Sequence, residues 1–332
     1  MSDTYTKKDF MSDQNIRWCP GCGDYSILSQ VQTVLAELNR PQHEFAIVSG
    51  IGCSSRFPYY MNTYGFHTIH GRAPAFATGL KLANPELSVW EITGDGDALS
   101  IGGNHLMHVL RRNIDIQILL FNNRIYGLTK GQYSPTSEVG KRTKSSPMGA
   151  VDHPVEPCAF ALGSDGTFVA RAIDVDVKHQ RDILKEAYEH KGTSFVELYQ
   201  ECNIFNEHAF DDIRKPKERK ENAVYCEQGK PLLFANNQKG LHFNTKTFTL
   251  DVITLGENGM TLEDVLLHDE SNLTLANMLV RMRYPVALGV IYRIERSTYD
   301  ADAHNQLKAA KAKPKYGDIS KLLYGANTWV VE

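Results

Sequence analysis

The chain has 332 residues, of which 42% are hydrophobic and 23% charged, which is typical of a globular protein with one large core. A formal net charge of −3 provides no basic field for binding nucleic acid. No uninterrupted apolar run reaches the ~18 residues of a membrane span, and the N-terminus is polar from its first residues. We therefore expect a cytoplasmic protein that binds neither nucleic acid nor a membrane.

The N-terminal half is predicted to begin with a polar arm over residues 1–17. Apolar residues then recur at helical spacing over 24–39, which predicts an amphipathic helix, capped by Asp24 and stopped before Pro41. The next predicted elements are a strand over 45–49 and a helix of small residues over 73–83.

The most informative segment is a strand-loop-helix-strand unit that contains Gly94-Asp95-Gly96 and, 25 residues later, Asn122-Asn123. Strands are predicted over 88–93 and 114–121, with a helix over 99–112 between them. A magnesium ion prefers oxygen ligands and shares them with phosphates, so an Asp and an Asn at neighbouring strand ends would suit it. The glycines allow backbone amides to approach a diphosphate at the helix start.

The chain after this unit again alternates strands and helices, and its composition changes beyond residue 202. A long loop over 126–157 is predicted to be ordered and functional. It is followed by a strand over 167–172, a helix over 177–190 and a strand over 193–199. Beyond these lie a charged linker (DDIRKPKERKEN), a hairpin over 241–252 and a Lys/Ala-rich end. We predict an α/β fold with a doubly wound, mostly parallel sheet over 18–210 and a C-terminal extension over 211–332.

Six cysteines in a cytoplasmic chain suggest metal ligands, catalytic thiols or core residues, not disulfides. Cys19 and Cys22 form a CPGC motif, whereas Cys53 and Cys202 each follow a predicted strand. A CxxC pair alone fits a redox pair, half of a zinc site or half of an iron-sulfur site. One close pair with two distant single cysteines is compatible with a 4Fe-4S cluster. Cys226 competes with Cys202 for the fourth position, and Cys158 is predicted to be buried and inert.

Several of these motifs resemble those of known enzymes. The GDG and NN pair resembles the fingerprint of thiamine diphosphate enzymes. Over residues 16–210 the chain resembles the β subunit of the 2-oxoacid:ferredoxin oxidoreductases, especially those that use 2-oxoglutarate. The motifs that carry this resemblance are WCPGCGDY at 18–25, GIGCSSRFPYYMNTYG at 50–65, TIHGRAPAFATGLK at 68–81, GDGDALSIGGNH at 94–105, NNRIYGLTKGQYSPTS at 122–137 and ECNIFN at 201–206.

The resemblance implies a cofactor role for named residues. Magnesium would be held by Asp95, the side-chain oxygen of Asn123 and the backbone carbonyl of Ile125, and the amides of Gly96 and Asp97 would face the diphosphate of thiamine diphosphate. Gly52, Cys53 and Gly94 are further cofactor-binding candidates. One 4Fe-4S cluster would be held by Cys19, Cys22, Cys53 and Cys202.

The resemblance also implies an activity, the oxidative decarboxylation of 2-oxoglutarate to succinyl-CoA and CO2, with single electrons passing through the cluster to ferredoxin. The reverse reaction would carboxylate succinyl-CoA reductively. A substrate with two carboxylates needs a cation for the distal one, and Arg56 is the first candidate because its planar fork matches a carboxylate. His70, Arg72 and Lys130 are alternatives, and Leu128 would form an apolar wall.

Thiamine enzymes also need a pyrimidine-binding domain, and this chain supplies only the diphosphate-binding one. We therefore expect an α subunit that carries the missing domain, in an α2β2 or similar assembly. The C-terminal extension would cover the cluster or the partner interface. Three alternatives remain open at this point: an oxidoreductase for pyruvate or another 2-oxoacid, a non-oxidative decarboxylase with structural zinc, and a non-catalytic assembly module.

Overall fold

The fold is that of a computed structural model, in which residues 4–312, 319–325 and 327–331 are described. Residues 1–3 of the predicted arm and parts of the Lys/Ala-rich end lie outside those ranges. The strands are β1 (Phe45–Ser49), β2 (Tyr64–His67), β3 (Ser88–Gly94), β4 (Gln117–Asn122), β5 (Phe168–Ile173), β6 (Ser194–Tyr199), β7 (Ala223–Cys226), β8 (Leu233–Phe234), β9 (Lys239–Asn244), β10 (Thr249–Thr254) and β11 (Val286–Arg293). The helices are α1 (Asp24–Glu37), α2 (Ala73–Ala83), α3 (Asp95–Leu99), α4 (Gly103–Arg112), α5 (Pro157–Gly163), α6 (Val177–Glu189), α7 (Asp211–Arg214), α8 (Pro216–Asn222), α9 (Leu273–Leu279), α10 (Tyr299–Lys311) and α11 (Ile319–Tyr324).

The central sheet has eight strands in the order β2-β1-β3-β4-β6-β5-β11-β7. Neighbouring strands pair in parallel except β11, which runs antiparallel to β5. Helices cover both faces, and the apolar residues between sheet and helices form one large core cluster on each face. The prediction of a doubly wound, mostly parallel α/β sheet is therefore confirmed. In such a sheet, ligands bind beyond the carboxyl ends of the strands.

Two local predictions were wrong. The helix predicted over 99–112 begins only at Gly103, as α4, and the short helix α3 precedes it, because the chain between them packs at Gly102 directly against Gly71. A Cβ added to Gly71 would lie 2.4 Å from the Gly102 backbone. Asp24 does not cap α1: Gly23 occupies the capping position, and Asp24 is the first helical residue and is buried. Its carboxyl group faces the cysteines described below.

The C-terminal extension differs from the prediction in one respect. The segment predicted to be a charged, solvated linker forms α7 and α8, because Ile213 anchors it in a small core with Tyr199 and Phe210. The predicted hairpin is confirmed as β9 and β10, which pair antiparallel. The extension also supplies β7 and β11 to the central sheet. Its boundary near residue 210 stays a prediction.

The N-terminal arm packs on the core through Phe10, which is fully buried among Phe45 and its neighbours. Within the described ranges, none of the helices combines the length and apolar character needed to cross a membrane.

Candidate functional site

A cleft opens at the carboxyl ends of β3 and β4, where the GDG and NN motifs lie. It encloses about 690 Å³ of empty space that is continuous with solvent. Its lining includes the predicted cofactor-binding residues Gly52, Cys53, Gly94, Asp95, Gly96, Asp97, Asn123 and Ile125, together with His70 and Leu128. Residues that are far apart in the sequence therefore meet in one cavity, as the strand-end argument predicts.

Asp95 begins α3 at the floor of this cleft and is only 2% exposed. The Thr136 hydroxyl donates to its Oδ2 at 2.6 Å. Burial raises the pKa of the Asp95 carboxyl to about 6, against the lowering effect of the Ser134 and Thr136 hydroxyls. A buried carboxylate gains from a nearby cation, because the cation compensates the charge that burial penalises.

The two adjacent asparagines have different environments. Asn122 turns away from the cleft, and its Nδ2 donates to Glu197 Oε1 at 2.7 Å. Asn123 lines the cleft; its Nδ2 donates to Gln200 Oε1 at 2.9 Å, and its Oδ1 accepts from the Ile125 amide at 3.2 Å. The hydrogen bond from Nδ2 to Gln200 thus orients the side-chain amide of Asn123, so that Oδ1 can act as a ligand in the cleft.

The glycines of the cleft have identifiable steric roles. A Cβ on Gly96 would lie 2.1 Å from the Tyr126 ring, whose hydroxyl donates to the Gly96 carbonyl at 3.1 Å. Gly52 has φ +126° and open space where a Cβ would stand. The backbone is therefore closely packed at Gly96, whereas the cleft is open at Gly52.

The Asp97 side chain braces the rim of the cleft through two hydrogen bonds. Its Oδ1 accepts from the Gly71 amide at 2.8 Å and its Oδ2 accepts from the Thr93 hydroxyl at 3.0 Å. These contacts tie the HTIHGR loop to the end of β3. Because Asp97 is occupied in this way, the side-chain oxygens of Asp95 and Asn123, with Ile125 beside them, form an all-oxygen donor set that fits a hard cation such as magnesium.

The four predicted cluster cysteines converge next to this cleft. Burial is the main cause that raises the pKa of the Cys53 thiol to about 12, and the nearby Asp24, Cys202 and Cys19 raise it further. Burial also raises the pKa of the Cys22 thiol, and the nearby Asp24, Cys202 and Cys53 raise it further. Such thiols would become thiolates readily only with positive charge from a metal.

Gly127 lies between two of these sulfurs. A Cβ at this position would lie 3.5 Å from the Cys202 Sγ and 3.7 Å from the Cys53 Sγ. The sulfurs of Cys202 and Cys53 therefore approach the same point of the backbone. Cys19 is exposed, so the cluster of thiols reaches the protein surface at the CPGC loop.

The described cysteine side chains do not form a ready-made zinc site. In the described chain, the one group of three ligand-type side chains within 4.8 Å of one another is Glu201, His208 and Asp211, so no three of the four cysteine sulfurs are that close. Tetrahedral zinc with bonds of about 2.3 Å would bring its sulfurs to about 3.8 Å of each other. The four cysteines do not have that close arrangement in the described structure.

The other two cysteines lie elsewhere. Cys226 is buried in β7 at the far edge of the sheet, in the apolar core of the opposite face. Cys158 is fully buried at the start of α5 and donates to Glu197 Oε2 at 3.2 Å. The structure therefore places Cys202, and not Cys226, beside Cys53.

A second cavity adjoins the cleft and shares Ile51, Gly52 and Leu128 with it. Arg56 lines this cavity, and its guanidinium has no hydrogen-bond or ion-pair partner in the described part of the chain. Half-exposed Leu128 separates the two spaces. An unpaired guanidinium close to the cofactor cleft matches the predicted site for a substrate carboxylate.

The alternative cations are less well placed. His70 lines the cleft but is largely exposed, with Nδ1 3.9 Å from Asp97 Oδ1. Arg72 turns away and donates to the Ile101 carbonyl at 3.2 Å. Lys130 is exposed and lines neither cavity. Of the four candidates, Arg56 has the most suitable position.

Three residues of the site were missed by sequence reasoning: Thr136, Gln200 and Glu197. All three are buried polar residues that contact the motif side chains. Thr136 lies in the long loop that was predicted to be functional, and Gln200 lies two residues before Cys202. The sequence shows that Thr136 and Gln200 lie near motifs, but it does not show which side chains they contact in the folded protein.

Comparison with known proteins supports this description. Residues 50–198 match the family of the thiamine pyrophosphate enzyme, C-terminal TPP-binding domain. The chain is 49% identical, over 98% of its length and 88% of that protein, to the 2-oxoglutarate oxidoreductase subunit KorB of Mycobacterium tuberculosis. It is 50% identical, over 57% of its length and 60% of that protein, to 2-oxoacid:ferredoxin oxidoreductase 1, subunit beta, of Aeropyrum pernix.

Among solved structures, the fold is similar to the 2-oxoglutarate:ferredoxin oxidoreductase from Magnetococcus marinus, which was solved with 2-oxoglutarate, coenzyme A and succinyl-CoA bound. The TM-score is 0.77 at 32% sequence identity, covering 96% of this chain and 95% of that chain. Three observations agree on the family: the separate sequence motifs, the cleft at the GDG and NN motifs, and the similarity to a relative over nearly the full chain. The chain therefore belongs to the family of 2-oxoacid:ferredoxin oxidoreductase β subunits.

Proposed function

We propose that this chain is the β subunit of an enzyme that converts 2-oxoglutarate and coenzyme A to succinyl-CoA and CO2 and passes the electrons to ferredoxin. The observation that carries the proposal is the position of Cys53, which lines the cofactor cleft and also stands among the converging cysteines. One residue thus borders both sites. Electron transfer between two cofactors requires that they lie close together. A decarboxylase that transfers no electrons would not need a cluster site beside its cofactor cleft.

Thiamine diphosphate supplies the carbanion chemistry that breaks the bond to the carboxylate of a 2-oxoacid, and its diphosphate would be held through magnesium. In this chain Asp95, Asn123 and the carbonyl of Ile125 would hold the ion, and the amides of Gly96 and Asp97 would face the diphosphate. Thr136 orients Asp95, and the Tyr126 ring packed on Gly96 fixes the backbone there. Gly52 and Gly94 would leave room for the cofactor.

The cluster would be a single 4Fe-4S group held by Cys19, Cys22, Cys53 and Cys202. The convergence of the cysteines, with no three of their sulfurs within 4.8 Å of one another in the described residues, supports this choice over zinc. An iron-sulfur cluster accepts one electron at a time, which favours oxidative chemistry with ferredoxin as the electron acceptor. Cys19 at the surface marks the side from which electrons would leave.

For the substrate, Arg56 would hold the distal carboxylate of 2-oxoglutarate, and Leu128 would form the wall between this carboxylate and the reacting end. The unpaired guanidinium and the cavity that joins the cleft support this assignment. His70 would stand at the rim of the cleft. The names of the relatives point to the same substrate.

The partner would be an α subunit that provides the pyrimidine-binding domain, in an α2β2 assembly in the cytoplasm. The exposed apolar side chains of Ile101 and Leu128 line the cleft, and further large apolar side chains are exposed on β2, α2 and the loop between them, namely Tyr64, Phe66, Ile69 and Phe76. An apolar rim beside a cofactor site suits a subunit interface that buries it. Part of residues 211–332 would also contact the partner or shield the cluster.

The test is to co-express the chain with an α subunit from a neighbouring gene, purify the complex anaerobically and measure iron, sulfide and viologen reduction. We expect about four iron and four sulfide per chain and coenzyme A-dependent reduction that is faster with 2-oxoglutarate than with pyruvate. Equal or faster reduction with pyruvate would contradict the substrate assignment. A colourless complex that contains zinc would contradict the redox mechanism.

A further inference from the structure

Gln200 lies between the two proposed cofactor sites and contacts a residue of each. It is 1% exposed and follows β6 directly. Its Oε1 accepts from Asn123 Nδ2 at 2.9 Å, and its Nε2 donates to the Cys22 Sγ at 3.3 Å. A single buried side chain therefore connects the oxygen-lined cleft with the cysteines.

The orientation of this amide is determined by chemistry. The Gln200 Nε2 atom also lies 2.6 Å from the backbone carbonyl of Glu201, which can only accept a hydrogen bond. The atom facing that carbonyl must therefore be the nitrogen. The opposite atom of Gln200 is then the oxygen, so Asn123 must present its nitrogen to it, and the Asn123 oxygen remains for the cleft.

The same argument fixes the contact with sulfur. With the amide in this orientation, the two N–H groups of Gln200 donate to the Glu201 carbonyl and to the Cys22 Sγ. The backbone supports this position, because the Gln200 amide donates to the Asn122 carbonyl at 3.0 Å and extends the pairing of β6 with β4. The side chain thus begins from a rigid strand end, as a precise positioning group requires.

We propose that Gln200 is a positioning residue shared by both sites, which orients the metal-binding oxygen of Asn123 and donates a hydrogen bond to the cluster ligand Cys22. The inference rests on the function proposed above. Outer partners that orient a metal ligand typically change metal affinity by 10- to 100-fold when they are removed. Hydrogen bonds to cluster sulfurs stabilise the added negative charge of the reduced state and so raise its reduction potential.

The experiment uses the anaerobically purified complex of this chain with its α subunit and compares wild type with Gln200→Leu. The first readout is the magnesium concentration for half-maximal binding of thiamine diphosphate, measured by calorimetry. The second is the midpoint potential of the cluster, measured by a redox titration followed by electron paramagnetic resonance without thiamine diphosphate. We expect the magnesium requirement to rise roughly tenfold or more and the midpoint potential to become more negative.

The matched control is Gln180→Leu. Gln180 is a fully buried glutamine of α6 whose side-chain amide has no hydrogen-bond partner in the described residues. This change removes a buried amide of the same size without touching either site, so both readouts should stay at the wild-type values. If Gln200→Leu fails to assemble, Gln200→Met, which is unbranched like glutamine, carries the same expectation.

Wild-type values for both readouts in an assembled Gln200 variant would overturn the inference, and a change in one readout alone would overturn the shared role. Failure of the proposed function looks different, because the wild-type complex would then lack the cluster signal or magnesium-dependent cofactor binding. Neither readout depends on turnover, so the choice of 2-oxoacid does not affect the result.

Discussion

The Thr136 hydroxyl lies 2.6 Å from Asp95 Oδ2 and 2.9 Å from Asn122 Oδ1. A hydroxyl has one proton, so it can serve only one of these acceptors at a time. Asp95 is the closer acceptor and a carboxylate, so the Thr136 proton points to it, while the Asn122 oxygen has the Arg124 amide as a donor. Thr136 therefore links the long loop to the residue that we assign to magnesium.

Replacing Thr136 with Val should weaken magnesium binding without unfolding the chain. Valine keeps the shape of threonine but cannot donate to Asp95, so the carboxylate loses one of the hydrogen bonds that orient it. We expect the magnesium concentration for half-maximal thiamine diphosphate binding to rise roughly tenfold. Thr136→Ser should restore most of the affinity. Thr143→Val, which removes a hydroxyl that contacts Ser145 in the same loop, should have no effect; an equal effect there would contradict the explanation.

The buried pair Arg171 and Glu197 should be sensitive to loss of either partner. Arg171 Nε donates to Glu197 Oε2 at 2.7 Å, and both side chains are at most 1% exposed. Breaking such a pair leaves a buried charge uncompensated and costs about 3–5 kcal/mol. We expect Arg171→Met to lower the free energy of unfolding by that amount in chemical denaturation. Arg171→Met with Glu197→Met together should recover part of the loss, and a double variant as unstable as the sum of the two would refute a paired contribution.

Glu91 should make stability depend on pH. It is 1% exposed in β3, and neither carboxyl oxygen has a hydrogen-bond partner in the described residues. Burial, and next the nearby Asp97, raises the pKa of Glu91 well above its ordinary value of 4.5. The folded state therefore holds this proton more tightly than the unfolded state, so the stability contribution is complete below pH 4.5 and is lost as pH rises towards the raised pKa.

Glu91→Met removes this group and should increase the free energy of unfolding at pH 8 by about 1–3 kcal/mol, the usual cost of an unsatisfied buried polar group. Thermal unfolding of wild type and variant between pH 5 and 8 provides the measurement. The gap between the two midpoints should widen as pH rises. A gap that is constant across this range would show that Glu91 is not the titrating group.

The choice of the fourth cluster ligand can be tested by iron content. Cys202→Ser should lower bound iron sharply, because Cys202 lies with Cys53 beside Gly127. Cys226→Ser is the matched control, since that thiol is buried in the opposite core, and it should leave the iron content unchanged. Iron loss in the Cys226 variant with retention in the Cys202 variant would reverse the assignment.

Local sequence signals predicted much of the fold and site. Asp95, Asn123 and the CPGC pair each belong to a short motif whose residue types and spacing reflect the chemistry of a ligand. The strand pattern placed Cys53 and Cys202 at strand ends, and so at one edge of the sheet. The break at Ser100 could not be predicted, because it arises where Gly71 packs against Gly102.

Thr136 and Gln200 were unpredictable for a related reason. Each is an ordinary polar residue whose role comes from a partner 41 or 77 positions away. The sequence shows neither the burial nor the partner. The helical character of residues 211–222 was also missed, since the charged composition concealed Ile213, whose burial anchors the segment.

We propose that thiamine diphosphate and the cluster meet at Cys53 and exchange electrons. The most direct measurement is rapid freezing of the anaerobic wild-type complex after 2-oxoglutarate is added, followed by electron paramagnetic resonance. We predict that the signal of the reduced cluster appears only when magnesium and thiamine diphosphate are both present, and that Asp95→Ala abolishes it. A cluster that stays oxidised with all components present, or one that is reduced without thiamine diphosphate, would show that electrons do not pass from this cofactor to the cluster.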